Sequence, residues 1–202
     1  MKNVRIFVIA CTAALSLSAA EITLPAPARK GGLPLNEALS LRRTCRSYTA
    51  RTLAPAEISQ LLWSAFGVNR EDGKRTAPTA RNRQEITLYL ITAKGAWAYA
   101  AKSNKLPPLS TKDLRRCAGR FDAPAYIAIV SSKKLSGDSP RSLHFAAMDA
   151  GYVSQNIYLA CASMGLGTCA IGSIPDPAAL ARELRLTDSE SVLLTHSVGA
   201  PK

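Results

Sequence analysis

The sequence predicts an α+β domain in which helices surround a mixed sheet. Some segments carry apolar residues at the 3.6-residue spacing of a helix, and others alternate or are continuously apolar like strands. Two helices come first, and strands and helices then follow in turn, which is the pattern of helices packed around a sheet. With 202 residues, 47% hydrophobic and 20% charged, the chain can bury one core and is neither low-complexity nor disordered.

The charge of the chain indicates an anionic partner. Its 26 lysines and arginines outnumber 14 acidic residues, which gives a net charge of +12. Nucleic acid, a membrane surface and a phosphorylated cofactor all suit such an excess. Composition alone does not choose among them.

Residues 1–20 have the pattern of a secretory signal peptide. Lys2 and Arg5 form a basic start, an apolar stretch runs from residue 6 to about residue 17, and small residues at 18–20 precede a cleavage site. The apolar stretch is shorter than the roughly 20 residues of a transmembrane helix. We therefore expect an exported, periplasmic protein without stable membrane insertion.

A lipoprotein signal is the alternative, and Cys11 would then carry a lipid anchor. Val8–Cys11 resembles a lipobox, but only about five apolar residues would precede the cut, fewer than the 7–15 of an ordinary apolar region. Loss of residues 1–20 would remove two cations and lower the net charge from +12 to +10. The remaining cysteines have no CxxC spacing.

The mature chain is predicted to begin with a linker or N-terminal arm at residues 21–33. Pro25, Pro27 and the pair Gly31–Gly32 break regular structure there. The domain itself is expected to span residues 34–202.

Two helices are predicted at the start of this domain, at residues 35–41 and 55–66. For the second, Leu53 and Ile58 can form a hydrophobic staple, and Glu57 complements the helix dipole. The apolar residues at helical spacing are Ile58, Leu61, Leu62, Ala65 and Phe66, with Gly67 as the stop.

Strands are predicted at residues 86–92, 125–131 and 191–198. The second of them is almost wholly apolar and is therefore expected at the centre of the sheet. A long apolar helix is predicted at 145–164 and a short amphipathic one at 178–186. The polar residues that interrupt the long helix, and that argue against a membrane span, are Asp149, Ser154, Gln155 and Asn156.

Three segments carry residues suited to ligand chemistry, and the first is Arg42–Tyr48. Its three arginines, together with the Thr44 hydroxyl, offer donors that match the oxygens of an oxyanion such as phosphate. A solvated basic surface or a nucleic-acid patch is the alternative for this segment taken alone.

The second segment is the loop at residues 76–84, which contains Asn82 and Gln84. Carboxamides donate and accept hydrogen bonds, which suits the edge of a heterocycle. Taken alone, a turn capped by Asn82 is the simpler explanation.

The third segment is Gly165–Gly172. Its glycines allow a backbone to approach a flat ligand and to present N–H groups to it. The spacing is not GxGxxG and the segment follows a helix, which excludes a Rossmann motif. A helix stop explains Gly165 but not the whole run.

Together and in this order, the segments resemble those of the FMN-dependent nitroreductase family. The similarity covers about residues 35–202: a basic RRT-R-Y turn, a helix ending LLW-AFG, a P-T-A-R-N-R-Q loop, a long helix with QN, and GLGTCAIG. Tyr89–Tyr99 and the short region at 95–119 also resemble its azoline-oxidase branch. The resemblance implies a nitroreductase-like fold and an intertwined homodimer, with FMN at an interface built largely by the long helix, Gln155 and Asn156 included.

The resemblance implies that five residues surround the phosphate and one end of the flavin. Arg42, Arg43 and Thr44 would hold the FMN phosphate and ribityl chain. Arg46 would lie near the pyrimidine end, where a cation stabilises the anionic reduced flavin. Lys202 occupies the place of the basic residue beyond the last strand that reaches the phosphate in this family.

The other flavin contacts implied by the resemblance come from the second and third segments. Asn82 would hydrogen-bond the ring edge, and Gln84 would support the loop. Ile171 and Gly172 would place a backbone N–H at the reactive ring nitrogen.

The function implied by the resemblance is that of an FMN-dependent oxidoreductase. Electrons would pass by a ping-pong mechanism from a reduced donor such as NAD(P)H to a small organic acceptor, nitroaromatic or quinone in type. Because the cofactor supplies the chemistry, no catalytic triad or metal motif is needed, and the sequence has neither. NAD(P)H is scarce outside the cytoplasm, so an exported form would use another donor.

Two other functions stay open at this point. One is an exported flavin-binding protein without turnover, and the other is a polyanion-binding or nucleic-acid-binding module. Against the second, only 6% of the residues are aromatic and no nucleic-acid motif is present, so we expect no nucleic-acid partner.

Overall fold

The computed structural model describes residues 20–202, so Cys11 and all of the predicted signal peptide except Ala20 lie outside the described residues. The helices are α1 (Leu35–Leu41), α2 (Pro55–Phe66), α3 (Arg115–Ala118), α4 (Lys133–Ser136), α5 (Pro140–Ser163) and α6 (Pro177–Glu183). The strands are β1 (Ile22–Thr23), β2 (Ile86–Thr92), β3 (Gly95–Ala98), β4 (Lys105–Leu106), β5 (Pro108–Ser110), β6 (Ala125–Ser132), β7 (Gly167–Ile171) and β8 (Glu190–Gly199).

The α+β fold class is confirmed, but the main sheet is antiparallel rather than mixed. Its six strands lie in the order β5-β3-β2-β6-β8-β7, and every neighbouring pair is antiparallel. α5 connects β6 to β7, and these strands run in the same direction, but β8 lies between them and opposes both. Within residues 20–202, parallel pairing is confined to an isolated bridge between Thr44 and Thr168.

The core lies on both faces of the sheet, with β6 at its centre. Ile127 and Ile129 of β6 face the cluster that α2 and α5 cover, whereas Tyr126 and Val130 face the cluster that includes Leu180 of α6. Because alternate residues of a strand point to opposite faces, β6 must be apolar on both. The predicted central position of this strand is thus confirmed.

The predicted helices form, with shifts at their ends. α2 has the predicted bounds, and its first turn is closed because Ala54 N–H donates to Glu57 Oε2 at 2.7 Å. α5 begins at Pro140, before the predicted residue 145, because Ser139 Oγ caps it by accepting from Ser142 N–H at 3.2 Å. The apolar pattern marks only the buried length of a helix, so it missed this polar first turn.

Residues 21–33 lie against the domain over part of their length. β1 pairs with β4, and Leu24 is 5% exposed in the core. Trp97 Nε1 donates to the carbonyl of Ala20 at 3.2 Å, which holds the start of the described chain near β3. None of the helices within residues 20–202 is both long enough and apolar enough to cross a membrane.

Candidate functional site

The first and third sequence segments lie side by side. Cys45 N–H donates to the carbonyl of Thr168 at 2.9 Å, next to the Thr44–Thr168 bridge. Much of the glycine-rich segment is therefore a strand, β7. The close approach requires Gly167, because a Cβ there would lie 2.6 Å from Cys45 Sγ.

Tyr158 of α5 joins these two segments. Its hydroxyl accepts from Ala170 N–H at 3.0 Å and lies 3.3 Å from Thr44 Oγ1. The Arg42 guanidinium lies over the Tyr158 ring, 5.4 Å from its centroid, within the range of a cation–π contact. The side chain thus holds two of the residues expected to bind phosphate. Sequence reasoning missed Tyr158, although it lies one helical turn after the polar residue Ser154.

A buried polar network lies beneath Tyr158. His196 is fully buried, with Nδ1 at 2.9 Å from Thr168 Oγ1 and Nε2 at 2.8 Å from Ser154 Oγ. Burial lowers the pKa of His196 to about 3, so the ring is neutral. It meets the Tyr158 ring edge-on at 5.2 Å. The network has no free charge and satisfies both ring nitrogens, so it fixes β7 against α5.

Tyr48 fixes the C-terminal end of the first segment, Arg42–Tyr48, which is called the arginine turn below. The side chain is 4% exposed, donates to the carbonyl of Cys45 and lies 2.7 Å from Ser197 Oγ of β8. Burial raises the pKa of the Tyr48 phenol, which keeps it protonated as a donor. The turn is therefore tied to the sheet on both sides of Arg46.

The remaining cations of the first segment face solvent beside the end of the chain. Arg43 and Arg46 are exposed, and Lys202 N–H donates to the carbonyl of Ser47 at 3.2 Å, next to Arg46. Within residues 20–202, the salt bridges involve none of the three arginines of this turn. A set of unpaired guanidinium groups with a hydroxyl donor fits the phosphate of FMN.

The second segment forms a compact loop around Gln84. Its backbone N–H donates to Thr79 Oγ1 at 2.9 Å, its Oε1 accepts from Arg75 Nε at 2.9 Å, and its Nε2 donates to Asn82 Oδ1 at 3.2 Å. A single 3-10 turn spans Ala80–Asn82. Both Asn82 and Gln84 have positive φ, at 52° and 51°, a conformation that asparagine tolerates but that is strained for Gln84.

Within a single chain, the second segment lies away from the first and third segments. The loop contacts α5 through Ala80 N–H, which donates to Asp149 Oδ2 at 2.8 Å, whereas the arginine turn contacts α5 at Tyr158. Nine residues of helix separate these contacts, or about 13.5 Å. Within residues 20–202, no hydrogen bond joins Asn82 or Gln84 to the arginine turn.

At the end of the third segment the backbone is exposed to solvent. Ile171 is 5% exposed and pairs with Thr195 of β8, so its side chain belongs to the core. Gly172 is exposed, and a Cβ there would meet no atom within 4 Å. The peptide after β7 is thus accessible to a flat ligand. A cavity of about 700 Å³ lies elsewhere, between β1 and the start of β6, and none of the nine predicted residues lines it.

The sequence and the fold are both similar to those of nitroreductases. A model of the nitroreductase family matches residues 39–200. A protein named as a nitroreductase from Methanocaldococcus jannaschii is 26% identical over 162 residues, which are 71% of this chain and 81% of that protein. The crystal structure of a protein described as a nitroreductase from Ralstonia eutropha has a TM-score of 0.85 and 33% identity over 94% of this chain and 93% of that one.

A crystal structure of a Desulfovibrio desulfuricans protein, described as a nitroreductase in complex with FMN, shares the fold. Its TM-score is 0.62 at 19% identity, over 85% of this chain and 88% of that one. The family model covers most of the domain, and the fold agrees with it. The azoline-oxidase branch stays a prediction. The chain belongs to the nitroreductase family and is, as the resemblance implied, an FMN-dependent oxidoreductase.

Proposed function

We propose that the enzyme transfers electrons by a ping-pong mechanism between a reduced donor such as NAD(P)H and a small organic acceptor, nitroaromatic or quinone in type. The proposal is carried by the guanidinium groups of the arginine turn, which have no carboxylate partner within residues 20–202, and by the open backbone at Gly172, at the end of the strand that pairs with the turn. FMN, when bound, supplies the redox chemistry, and no side chain has to act as acid or base.

Each part of the turn has its own role in this proposal. Arg42, Arg43 and Thr44 hold the phosphate, and Lys202, whose backbone N–H donates to the carbonyl of Ser47, adds a further cation. Arg46 places a positive charge near the flavin and stabilises the negative charge that reduction adds. Tyr158 keeps Arg42 and Thr44 in position, so little freedom is lost when the phosphate binds.

The proposal includes a homodimer, because α1 and α5 pack together and both present apolar side chains to solvent. The exposed apolar face is made of Leu35 and Leu39 of α1 with Met148 and Tyr152 of α5, and each pair lies one helical turn apart. Gln155 is exposed beside them, whereas Asn156 Nδ2 donates to the carbonyl of Ala65 at 3.4 Å and so faces α2. Exposed apolar side chains on two packed helices suit a subunit interface. A second copy on it could bring its own Asn82 and Gln84 to this chain's arginine turn.

Export is the remaining part of the proposal. If residues 1–20 direct the chain to the periplasm, then NAD(P)H is scarce where the enzyme works. The donor there is another reductant, or the substrate is oxidised and oxygen accepts the electrons. Rapid reduction of the bound flavin by NADH or NADPH, at ordinary cellular concentrations, would contradict this part.

The first experiment is the absorbance spectrum of the purified protein. We expect bands near about 370 and 450 nm, as for any oxidised flavin, and FMN in the supernatant after denaturation. Donors and acceptors are then tested by anaerobic bleaching and recolouring. Colourless protein that takes up no added FMN would refute the proposal, and a yellow protein that no donor bleaches would indicate flavin binding without turnover.

A further inference from the structure

Two carboxyl groups are buried together beneath the Asn82 loop. Glu85, just before β2, is 2% exposed, and Asp149 of α5 is 3% exposed. Both carboxyl groups line the same cavity, and Asp149 is close enough to raise the pKa of Glu85. Glu85 Oε2 has no hydrogen-bond partner. A buried carboxylate oxygen without a donor is costly, so this pair needs an explanation.

The charged groups around the pair do not neutralise it. A cavity of about 470 Å³ beside the carboxyls is lined by Arg81 and Arg83 of the loop and by Arg141 of α5, with uncharged Ser136 from α4. Arg83 Nη1 donates to the carbonyl of Ser136, and Arg141 lies over the Phe145 ring at 5.5 Å. Within residues 20–202, neither carboxyl is in a salt bridge.

Two adjacent buried carboxyls cannot both be ionised at little cost, because like charges at short range repel strongly where water is excluded. Burial, together with the neighbouring Asp149, raises the pKa of Glu85 to about 7. Arg83 opposes this shift only in part. One carboxyl of the pair therefore keeps its proton over a range in which exposed carboxyls are ionised.

The pair is connected to the loop through one hydrogen bond. Asp149 Oδ2 accepts from Ala80 N–H at 2.8 Å, at the start of the turn that carries Asn82. The next two residues, Arg81 and Asn82, have φ of 57° and 52°. For Arg81 this backbone conformation is strained, and it persists only where surrounding contacts impose it. The Asp149–Ala80 bond is one of the few that do.

We propose that Glu85 and Asp149 share one proton and act as a positioning pair for the Asn82 loop. In the protonated pair, the Glu85 O–H donates to the Asp149 carboxylate, which accepts from Ala80 N–H. Loss of the proton through the adjacent cavity leaves two carboxylates that repel each other, and Asp149 then no longer holds Ala80. Because Asn82 and Gln84 are flavin contacts only in the proposed function, the effect on FMN rests on that proposal.

The test is the dissociation constant of FMN between pH 5.5 and 8.5, measured by flavin fluorescence. Wild type is compared with Glu85→Gln, whose amide donates at every pH. In wild type the constant should rise above pH 7, by up to about tenfold per pH unit, relative to Glu85→Gln. The ratio of the two dissociation constants cancels the effect of the titration of the FMN phosphate, which is common to both proteins.

Two further variants make the comparison specific. Asp149→Asn keeps an acceptor for Ala80 N–H and offers Glu85 a donor. It should therefore also remove the weakening of FMN binding above pH 7. Glu71→Gln, an exposed carboxylate on a nearby turn, should follow wild type. Parallel pH profiles for wild type and Glu85→Gln would overturn the proposal.

A second measurement separates this proposal from the proposed function. If no variant binds FMN at any pH, the proposed function fails, and the pair is tested by urea unfolding without FMN. The unfolding midpoint of wild type should fall between pH 5 and 8 relative to that of Glu85→Gln. Equal pH dependence of the two midpoints would refute proton sharing.

Discussion

The arginine turn and the Asn82 loop both contact α5, but they are held in opposite ways. Beneath the turn, His196 is neutral and both of its ring nitrogens have partners. Beneath the loop, Glu85 and Asp149 are crowded together, and one carboxylate oxygen has no partner. The turn is therefore preorganised by the core, whereas the position of the loop depends on the proton that Glu85 and Asp149 share.

The two regions should lose stability at opposite ends of the pH range. The depressed pKa of His196 means that the unfolded state binds more protons below about pH 6.5, so stability falls as pH drops towards 3. The raised pKa of Glu85 means that the native state binds more protons, so stability falls as pH rises from the ordinary carboxyl range to about 7. Within either window, one pH unit corresponds to about 1.4 kcal/mol.

The largest expected effect comes from removing cations of the turn. The double variant Arg42→Ala with Arg46→Ala should weaken FMN binding by about 3–6 kcal/mol, since each hydrogen bond to a charged group contributes about 1.5–3 kcal/mol. FMN titration followed by fluorescence measures it. Lys134→Ala, which removes an exposed cation of α4, is the control. If the double variant bound FMN as tightly as the control, the phosphate would lie elsewhere.

Replacing His196 by leucine should break the network beneath the turn. Ser154 Oγ and Thr168 Oγ1 would each lose a buried partner, at a cost of about 1–3 kcal/mol per group, so we expect a loss of about 2–6 kcal/mol in the free energy of unfolding. The loss of stability at acid pH should also disappear. Urea unfolding from pH 4 to 7 measures both effects. His144→Leu, at an exposed position, is the matched control, and equal behaviour of the two would contradict the prediction.

A charge on the exposed apolar face should separate the proposed dimer. Met148→Glu places a carboxylate where a second copy would cover it, and we expect the dimer dissociation constant to rise at least about tenfold, or 1.4 kcal/mol. Sedimentation equilibrium measures the constant. Ile22→Glu introduces the same charge on β1, away from that face. The interface proposal fails if Met148→Glu and Ile22→Glu associate equally.

The smallest expected effect tests the loop apart from its carboxyl pair. Thr79→Val removes the acceptor for Gln84 N–H, which should lower the free energy of unfolding by about 1 kcal/mol and weaken FMN binding similarly. Thr79→Ser keeps the hydroxyl and should behave as wild type. Urea unfolding and FMN titration are the measurements. No difference between valine and serine would show that this bond does not hold the loop.

Local pattern accounts for much of the fold and for less of the candidate site. The bounds of α2 were predicted from its staple, its apolar spacing and the glycine that ends it, all of which act within a few residues. β3 and β5 were not predicted as strands, because they are short and depend on their neighbours in the sheet: β3 pairs with β2, and β5 pairs with β3. The prediction of a mixed sheet was wrong because no local pattern in the sequence indicates that β8 lies between β6 and β7.

In the candidate site, sequence pattern identified the residues with free donors. Arg42, Arg43, Arg46 and Thr44 lie close together in the sequence, so their chemistry could be recognised from spacing. Tyr158 and Glu85 were missed, because an isolated tyrosine on a helix and a glutamate before a strand are ordinary on their own. Only their neighbours in space make them significant.

The sequence by itself determined the family, the positions of the main helices and strands, and a cluster of cations suited to phosphate. The family follows from the resemblance of several motifs in order, whereas the elements and the cation cluster follow from periodicity, capping and residue type, which act over a few residues. Tertiary structure decided that β7 lies beside the arginine turn, that Tyr158 joins them, and that Glu85 meets Asp149 away from water. Burial and proximity set the charge of a side chain, and both depend on contacts between segments far apart in the chain.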